Sequence, residues 1–393
     1  MRKKPAVKTA PGITELDLPP PPLDGELRFD EATRNGAADD FGHIVHETPE
    51  AVLLPGSADD VAKTIQWTAR RGRKFAAQGQ SHATFGRSQV RDGIVADMST
   101  LRNIGAVEGD RVVVEAGAKW SEVLSATLPQ GKTPPVLTDY IELSVGGTLV
   151  VGGVGGTTSA FGVQSDNVIE IEVVTGKGQR VTCSASDNAD LFNAVRAGLG
   201  QVGVITKATL KLVAAPKSVR RFLFFYPDLT TMLNDERLLS GDSRFDAVQG
   251  AIVAAPSGGF AFRLDAAKYF TENPPEDNAL LAGLSTTRPS GSRRRSRTST
   301  TSLRMPSEDK CYAFNLVRIP ATDDASEARQ LVDANKAIYD RVKAAGATLY
   351  PVSAFPLSEG EWREHFGAAF GQLDAAKQKY DPGKVLTPGY NIF

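Results

Sequence analysis

The hydrophobic pattern in the first part of the chain consists of short segments bounded by glycine. Residues 92–98 (DGIVADM) and 110–118 (DRVVVEAGA) are rich in apolar and β-branched side chains, so both are predicted to be strands. The second strand leads into a predicted amphipathic helix over 119–127. Another helix is predicted over 57–72, because Ser57 is a preferred N-cap residue and apolar residues follow it at intervals of three to four.

Further along, alternation of apolar and polar residues predicts a hairpin. Residues 167–183 form two such arms around the turn Thr175-Gly176-Lys177-Gly178. A helix ending at glycine is predicted over 190–200, and a strand over 203–216 is stopped by Pro216. To about residue 213 the chain is therefore predicted to be α+β, with short strands, hairpins and a few helices.

From about Lys217 the pattern changes to longer elements. Strands are predicted over 220–228 (RRFLFFYPD) and 261–270 (AFRLDAAKYF), and helical spacing predicts a helix over 324–346. Between them lies 284–305, which is rich in Arg, Ser and Thr. We interpret this stretch as a surface loop, since no aromatic residues interleave with the arginines as they do in nucleic-acid platforms. A disturbed reading frame is the alternative.

Length and charge narrow the classes of protein. A chain of 393 residues exceeds the usual size of one hydrophobic core, so two domains are expected. Lys and Arg number 45 against 46 Asp and Glu, so no global field favours nucleic acid or a membrane surface. No segment has the roughly 18 consecutive apolar residues of a membrane span. Two cysteines, Cys183 and Cys311, predict neither a disulfide framework nor a metal cluster.

The beginning of the chain, MRKKPAVKTAPGITELDLPPPP, is basic but lacks the apolar core of a secretory signal. Residues 1–27 are therefore expected to be a flexible leader. As the sequence stands this favours a cytoplasmic protein. A secreted protein is the alternative, if a targeting segment has been removed.

Candidate chemistry is concentrated in the stretch AAQGQSHATFG, residues 76–86. Its small residues expose successive backbone N–H groups, which can bind phosphate, and they end beside His82, one of four histidines. The spacing is neither that of a P-loop nor that of a dinucleotide-binding G-x-G-x-x-G unit. By itself the stretch is more typical of an ordinary turn. Residues 145–156 hold six glycines in twelve positions, which indicates tight bends or close approach of a large group.

Several long blocks resemble one family. GQSHATFG followed by DGIVADMSTL resembles the FAD-binding domain of the vanillyl-alcohol-oxidase (PCMH) type, and the similarity to cytokinin dehydrogenases is closer. It covers roughly residues 50–215 and 340–393. The blocks that carry it are LTDYIELSVGGTLVVGGVGG, FGVQSDNVIEIEVVTGKGQRVTCS, NADLFNAVRAGLGQVGVITKATL and YDPGKVLTPGYNIF.

The resemblance implies roles for individual residues. His82 stands where the family attaches the flavin covalently, and Asp139 stands where an aspartate accepts a proton from the substrate amine. Other positions would contact the cofactor: Ala77, Gly79, Gln80, Ser81 and Ala83 around the pyrophosphate, Ser144, Val150, Val154 and Ile205 beside the flavin, and Tyr350, Thr387 and Tyr390 over it. The glycine run would let the backbone approach the flavin.

The resemblance also implies an architecture and a reaction. We expect a two-domain α+β protein whose FAD-binding domain spans 28–213, with a smaller substrate domain of sheet and helix over 214–349 and a C-terminal return over 350–393. The implied function is hydride transfer from a cytokinin-like secondary amine to FAD, with oxygen or a quinone as the electron acceptor. Fold does not fix substrate, so two alternatives stay open. One is oxidation of an alcohol, sugar or secondary metabolite, and the other is a flavin-binding protein with an eroded substrate domain.

Two departures from the family pattern concern the site. Ser81 replaces a usual glycine, although its backbone N–H can still contribute to the phosphate cradle. Arg87 replaces a usual glutamine and is expected to add a positive charge near the flavin. The substrate domain also looks short, and the 284–305 stretch lies where sheet and helix would be expected.

Overall fold

The computed structural model describes residues 18–242, 244–254, 259–272 and 325–393. The 284–305 stretch lies outside these ranges. The strands are β1 (Glu26–Arg28), β2 (Ala51–Leu54), β3 (Phe75–Gln78), β4 (Ile94–Asp97), β5 (Ile104–Glu108), β6 (Arg111–Glu115), β7 (Lys132–Thr133), β8 (Val168–Thr175), β9 (Arg180–Ser184), β10 (Gly203–Lys211), β11 (Val213–Ala214), β12 (Ser218–Tyr226), β13 (Ala247–Ala254) and β14 (Phe260–Phe270). The helices are α1 (Glu31–Ala37), α2 (Ala58–Arg70), α3 (Trp120–Thr127), α4 (Val145–Leu149), α5 (Thr158–Phe161), α6 (Ala189–Val195), α7 (Leu229–Asp242), α8 (Ala325–Ala344), α9 (Glu359–Phe366) and α10 (Phe370–Tyr380).

The first sheet has the strand order β1-β2-β4-β3, with β2, β4 and β3 parallel to one another. Helix α2 lies between β2 and β3 in the chain and begins as predicted, with the Ser57 hydroxyl accepting the Asp60 N–H at 3.3 Å. Its apolar face buries Val61 and Ile65 in one cluster with strand residues of this sheet. Strand β3 thus has a fixed end, from which the loop after Gln78 leaves.

The second sheet is antiparallel, with the order β5-β6-β10-β8-β9. The predicted hairpin is present here as β8 and β9, and two predicted strands are present as β6 and β10. The predicted strand over 92–98 is β4 of the first sheet. Apolar residues of this sheet, helices α3, α4 and α6 and the C-terminal helices form the largest core cluster. Trp120 is fully enclosed there, and its Nε1 donates to the Thr148 hydroxyl at 2.9 Å.

A third, smaller sheet of order β12-β14-β13 follows in the chain. Helix α7 covers one of its faces, burying Met232 and Leu239 against Leu264 and Ala266. This unit has its own apolar cluster, as expected for a second domain.

The C-terminal part of the chain returns to the first two sheets. Leu386 makes a parallel bridge with Phe75 of β3, and the buried Lys377 ammonium pairs with Asp381 at 2.8 Å and donates to the Gln201 carbonyl. The described part of α8 packs here as well, with Tyr339 stacked on Phe355.

One sequence expectation is wrong for part of the N-terminal leader. Residues 18–27 are not loose but lie against α2, where the Trp67 indole donates to the Leu18 carbonyl at 2.9 Å. The buried Asp60 carboxylate accepts N–H groups of Asp24 and Gly25 at 2.9 and 2.7 Å. These nonlocal bonds compensate for the proline-rich composition that suggested flexibility.

Helix α6 also ends earlier than predicted, at Val195 instead of Gly200. Ala197 and Leu199 adopt left-handed conformations, with φ of 56° and 57°. Their N–H groups donate to the carbonyls of Leu149 and Val150 at 2.9 and 2.8 Å. The chain leaves the helix because these two N–H groups bond to carbonyls at the C-terminal end of α4 instead of continuing the hydrogen bonds of α6.

Candidate functional site

The loop after β3 presents a run of backbone donors. Among the described residues, the N–H groups of Gln80, Ser81, His82 and Ala83 donate to no protein acceptor. Ser81 has a φ of 50°, and its carbonyl accepts the Phe41 N–H at 2.8 Å, which holds the turn open. Successive N–H groups around a left-handed residue form a concavity that binds anions.

Gly79 is required at the start of this loop by close packing. A side chain there would collide with the Ser144 hydroxyl. Ser144 is the buried N-cap residue of α4, and its side chain makes no capping bond. The loop and the N-cap residue of α4 therefore meet at one point.

His82 lies between two aromatic rings. Its centroid is 4.3 Å from that of Phe41 and 5.1 Å from that of Tyr140, on which it stacks. Partial burial lowers the pKa of the His82 imidazole below its usual value and so favours the neutral ring, in which one nitrogen keeps its lone pair. His82, Gln80 and Ser81 line a cleft of about 530 Å³, within the roughly 300–1,000 Å³ of ligand sites.

Asp139 lies one residue before the ring that stacks on His82. Its side chain is exposed, and its Oδ2 accepts a hydrogen bond of 2.7 Å from Nε2 of Gln249. Gln249 belongs to β13 of the small sheet. This contact joins the two parts of the molecule at the predicted catalytic carboxylate.

Sequence reasoning missed Gln249. Alternation along β13 places it on one face of a strand, but nothing local indicates that this face meets a loop 110 positions earlier. The contact depends on the packing of two domains, which residue patterns within either one do not encode.

Tyr350 reaches the glycine-rich segment. Its hydroxyl accepts the Gly153 N–H at 3.1 Å, and its ring packs with Val154, Val163 and Ala197. Burial raises the pKa of Tyr350, so it remains a neutral phenol. Tyr350 and Val154, both predicted to contact the cofactor, thus pack against the same small cluster.

The remaining predicted cofactor residues are spread around the same region. Ala77 is half-buried in β3, Val150 ends α4, and Ile205 is buried in the core. Thr387, with φ of 51°, donates its N–H to the Phe75 carbonyl and its hydroxyl to the Gly200 carbonyl at 2.8 and 2.9 Å.

Arg87 lies away from the cleft and holds the C-terminal segment. The guanidinium is buried, donates to the carbonyls of Phe355 and Gly389 at 2.7 and 3.3 Å, and lies 4.9 Å from the Tyr390 ring. Burial also raises the pKa of Tyr390 to about 12. These contacts anchor the segment, and a charge from Arg87 near the flavin stays a prediction.

Part of the glycine run has a different cause from the one inferred from sequence. A side chain at Gly146 would meet Ala116, and one at Gly155 would meet the Leu137 carbonyl. At these two positions the backbone approaches the protein's own chain. The close approach to a cofactor was therefore the wrong explanation for both.

The arrangement fits FAD. A pyrophosphate needs several aligned donors and little side-chain bulk, which the four free N–H groups and Gly79 provide. His82 belongs to the same loop, and the exposed Asp139 precedes Tyr140, whose ring stacks on His82. Over residues 18–242, 244–254, 259–272 and 325–393, no cluster of three or more His, Cys, Asp or Glu could hold a metal ion. No helix in those ranges is long and apolar enough to cross a membrane.

Two protein families match the sequence. Residues 49–184 match the family described as FAD binding domain, and residues 292–393 match that described as Cytokinin dehydrogenase 1, FAD and cytokinin binding. The first range contains the loop, Asp139 and Ser144. The second contains Tyr350 and the C-terminal residues.

Individual proteins with similar sequences point to the same family. An uncharacterized oxidoreductase, ORF5 in the fasciation locus of Rhodococcoides fascians, is 32% identical over 94% of this chain and 99% of that protein. Cytokinin dehydrogenase 2 of Arabidopsis thaliana is 28% identical over 98% of this chain and 97% of that protein. Cytokinin dehydrogenase 9 of Oryza sativa subsp. japonica is 40% identical over 60% of this chain, which spans 47% of that protein.

A solved structure shows the fold. That of 6-hydroxy-D-nicotine oxidase from Arthrobacter nicotinovorans superposes with a TM-score of 0.58 at 21% identity, over 69% of this chain and 61% of that one. The expected α+β FAD-binding fold of the PCMH type with a smaller second domain is thereby confirmed.

Proposed function

Because this chain belongs to the cytokinin dehydrogenase-like family of FAD-dependent oxidoreductases, we propose that it oxidises a secondary amine of the kind found on the N6 side chain of adenine cytokinins. The substrate C–H next to nitrogen loses a hydride and the N–H loses a proton, which gives an imine. Water then hydrolyses the imine to an amine and an aldehyde. Oxygen or a quinone takes the electrons.

FAD, when bound, supplies the acceptor for the hydride and its two electrons. The protein supplies binding and orientation. The N–H groups of Gln80 to Ala83 bind the pyrophosphate, and Gly79 lets the start of this loop pack against Ser144. Ala77 lies beside the same pyrophosphate, Ser144, Val150, Val154 and Ile205 bound the ring system, and Tyr350, Thr387 and Tyr390 close over it.

His82 is the residue that we assign as the covalent tether. Its imidazole favours the neutral form, borders the cleft and is fixed by two aromatic neighbours. A neutral ring nitrogen is the nucleophile that such a bond requires. A fixed ring also lowers the entropy cost of reaching one position on the cofactor.

Asp139 is assigned as the proton acceptor. As the substrate loses hydride, positive charge develops on its nitrogen, and a nearby carboxylate stabilises that charge and takes the N–H proton. Gln249 can only donate to the Oδ2 that it contacts, which leaves Oδ1 for the substrate N–H.

One observation carries this assignment. The Tyr140 ring stacks on His82 at 5.1 Å while the residue before it, Asp139, is held by Gln249 from the small sheet. The chain next to Asp139 therefore contacts His82 through the Tyr140 ring, although 57 positions separate His82 from Asp139 in sequence. Neither contact is needed for a turn histidine or a capping aspartate.

The test is anaerobic bleaching of the flavin absorbance by a panel of substrates. N6-isopentenyladenine is expected to bleach the holoenzyme, and alditols and simple alcohols are not. Bleaching by an alditol or alcohol but not by the amine would replace the proposed substrate class. No bleaching by any compound would favour a binding protein.

A further inference from the structure

The small sheet presents a second group of polar residues on the face that carries Gln249. In the register of the sheet, Gln249 lies directly opposite Asp265 of β14, and Asp265 lies opposite Leu223 of β12. Residues directly opposite in an antiparallel sheet point to the same side. Asp265 therefore shares a face with the glutamine that contacts the catalytic carboxylate.

Two arginines converge on Asp265 from that same face. Arg221 contacts Oδ1 through Nη2 and Nε at 2.9 and 3.1 Å, and Arg263 contacts Oδ2 through Nη2 at 3.0 Å. We name Arg221, Arg263 and Asp265 the arginine cluster. Two guanidinium groups share one carboxylate, so the cluster keeps one net positive charge.

The cluster still has donors to offer. The Arg263 side chain is 31% exposed, although its Nε is enclosed and has no hydrogen-bond partner among the described residues. The Arg221 side chain is 62% exposed, and Asp265 occupies only one edge of its guanidinium. Asp265 orients both guanidinium groups, and the remaining exposed N–H groups of the two arginines can donate hydrogen bonds to an anionic ligand.

The position of the cluster relates it to the substrate. Asp139 holds the reacting amine, Gln249 contacts Asp139, and Asp265 is the neighbour of Gln249 across the strands. Cross-strand neighbours lie about 5 Å apart at Cβ, so one extended small molecule can reach from Asp139 to the cluster. Among the described residues of β12, β13 and β14, Asp265 is the single carboxylate on this face. Its neighbour Gln249 carries no charge.

We propose that the arginine cluster is a phosphate subsite, so that the preferred substrate is the monophosphate ester of the secondary amine instead of the free base. This rests on the proposed amine oxidation and adds its substrate class. Guanidinium forks bind phosphate bidentately, and binding of a remote phosphate fixes the amine at Asp139. The enzyme then acts on the nucleotide form of the amine.

Anaerobic reduction by N6-isopentenyladenosine 5′-monophosphate and by N6-isopentenyladenine tests this. The kcat/KM for the monophosphate is expected to be at least about 10-fold higher, and Arg263→Gln or Arg221→Gln is expected to reduce that ratio by roughly 10- to 100-fold. Arg220→Gln is the matched control, because Arg220 lies on the opposite face of β12 beside the Phe270 ring. It should leave the ratio unchanged. Equal kcat/KM values in the wild type, or an equal loss in Arg220→Gln, would overturn the proposal.

Calorimetric binding separates this proposal from the proposed function. Adenosine 5′-monophosphate is expected to bind the holoenzyme more tightly than adenosine or inorganic phosphate does, and Arg263→Gln is expected to abolish the difference. If that holds while no amine bleaches the flavin, amine oxidation fails and the phosphate subsite stands. Inorganic phosphate binding as tightly as the nucleotide would assign the cluster to free phosphate and overturn the substrate class.

Discussion

At the scale of single residues, the loop after β3 combines a strained backbone at Ser81 with N–H groups that have no protein acceptor among the described residues. Ser81 adopts a left-handed conformation, which costs a residue with a Cβ about 1–2 kcal/mol. A left-handed residue between successive N–H groups is the geometry of an anion-binding concavity, so the strain is consistent with the proposed phosphate cradle. The sequence shows the small residues of this loop but not the φ angle, which is why a serine there looked like an unexplained departure from glycine.

Ser81→Gly is expected to stabilise the protein by about 0.5–1 kcal/mol, since glycine adopts this φ without a steric penalty and only part of the gain is lost to its greater freedom when unfolded. Urea unfolding measures the change. Ser81→Ala keeps the Cβ and is the control, for which no gain is expected. A gain of equal size in the alanine variant would show that the hydroxyl, not the backbone, is unfavourable.

His82→Ala is expected to leave the flavin bound but no longer covalently attached. After acid precipitation, the yellow colour of the wild type should stay in the pellet and that of the variant should appear in the supernatant. His43 lines the same cleft, and His43→Ala is the matched control, whose colour should stay in the pellet. Colour in the wild-type supernatant would contradict the tether.

At the scale of elements, local patterns predicted most of the strands and helices. The β8–β9 hairpin and helix α2 follow from alternation, turn residues and an N-cap, which act over a few positions. The leader over 18–27 and the end of α6 were predicted wrongly, because both depend on partners far along the chain. Gln249 escaped prediction for the same reason. Local residue patterns predict helices and strands, whereas contacts between these elements determine which partners the polar side chains bind.

Arg87 shows how such a contact stabilises the fold. Arg87→Met is expected to lower the free energy of unfolding by about 2–3 kcal/mol, since one buried and one partly buried carbonyl lose a charged donor and the C-terminal segment loses its anchor. Arg91→Met, which removes an exposed ion pair with Glu47, should cost less than about 1 kcal/mol. Chemical denaturation of both variants gives the comparison, and equal losses would contradict the anchoring role.

At the scale of the whole molecule, the proposed reaction site draws on two parts of the chain. The FAD-binding part contributes the loop, His82 and Asp139, and the small sheet contributes Gln249 and the arginine cluster. A carboxylate held from one part can act on a substrate bound by the other. In the proposed function, one part would hold the cofactor and the other would orient the substrate.

The rate of anaerobic flavin reduction in Asp139→Asn tests the account most directly. Asparagine has nearly the same shape as aspartate and can still contact Gln249, but it cannot accept the substrate proton. The account predicts a rate of reduction by the amine at least about 100-fold below that of the wild type, with flavin content and thermal stability unchanged. A rate within about threefold of the wild type would contradict the assignment of Asp139 as proton acceptor and with it the proposed chemistry.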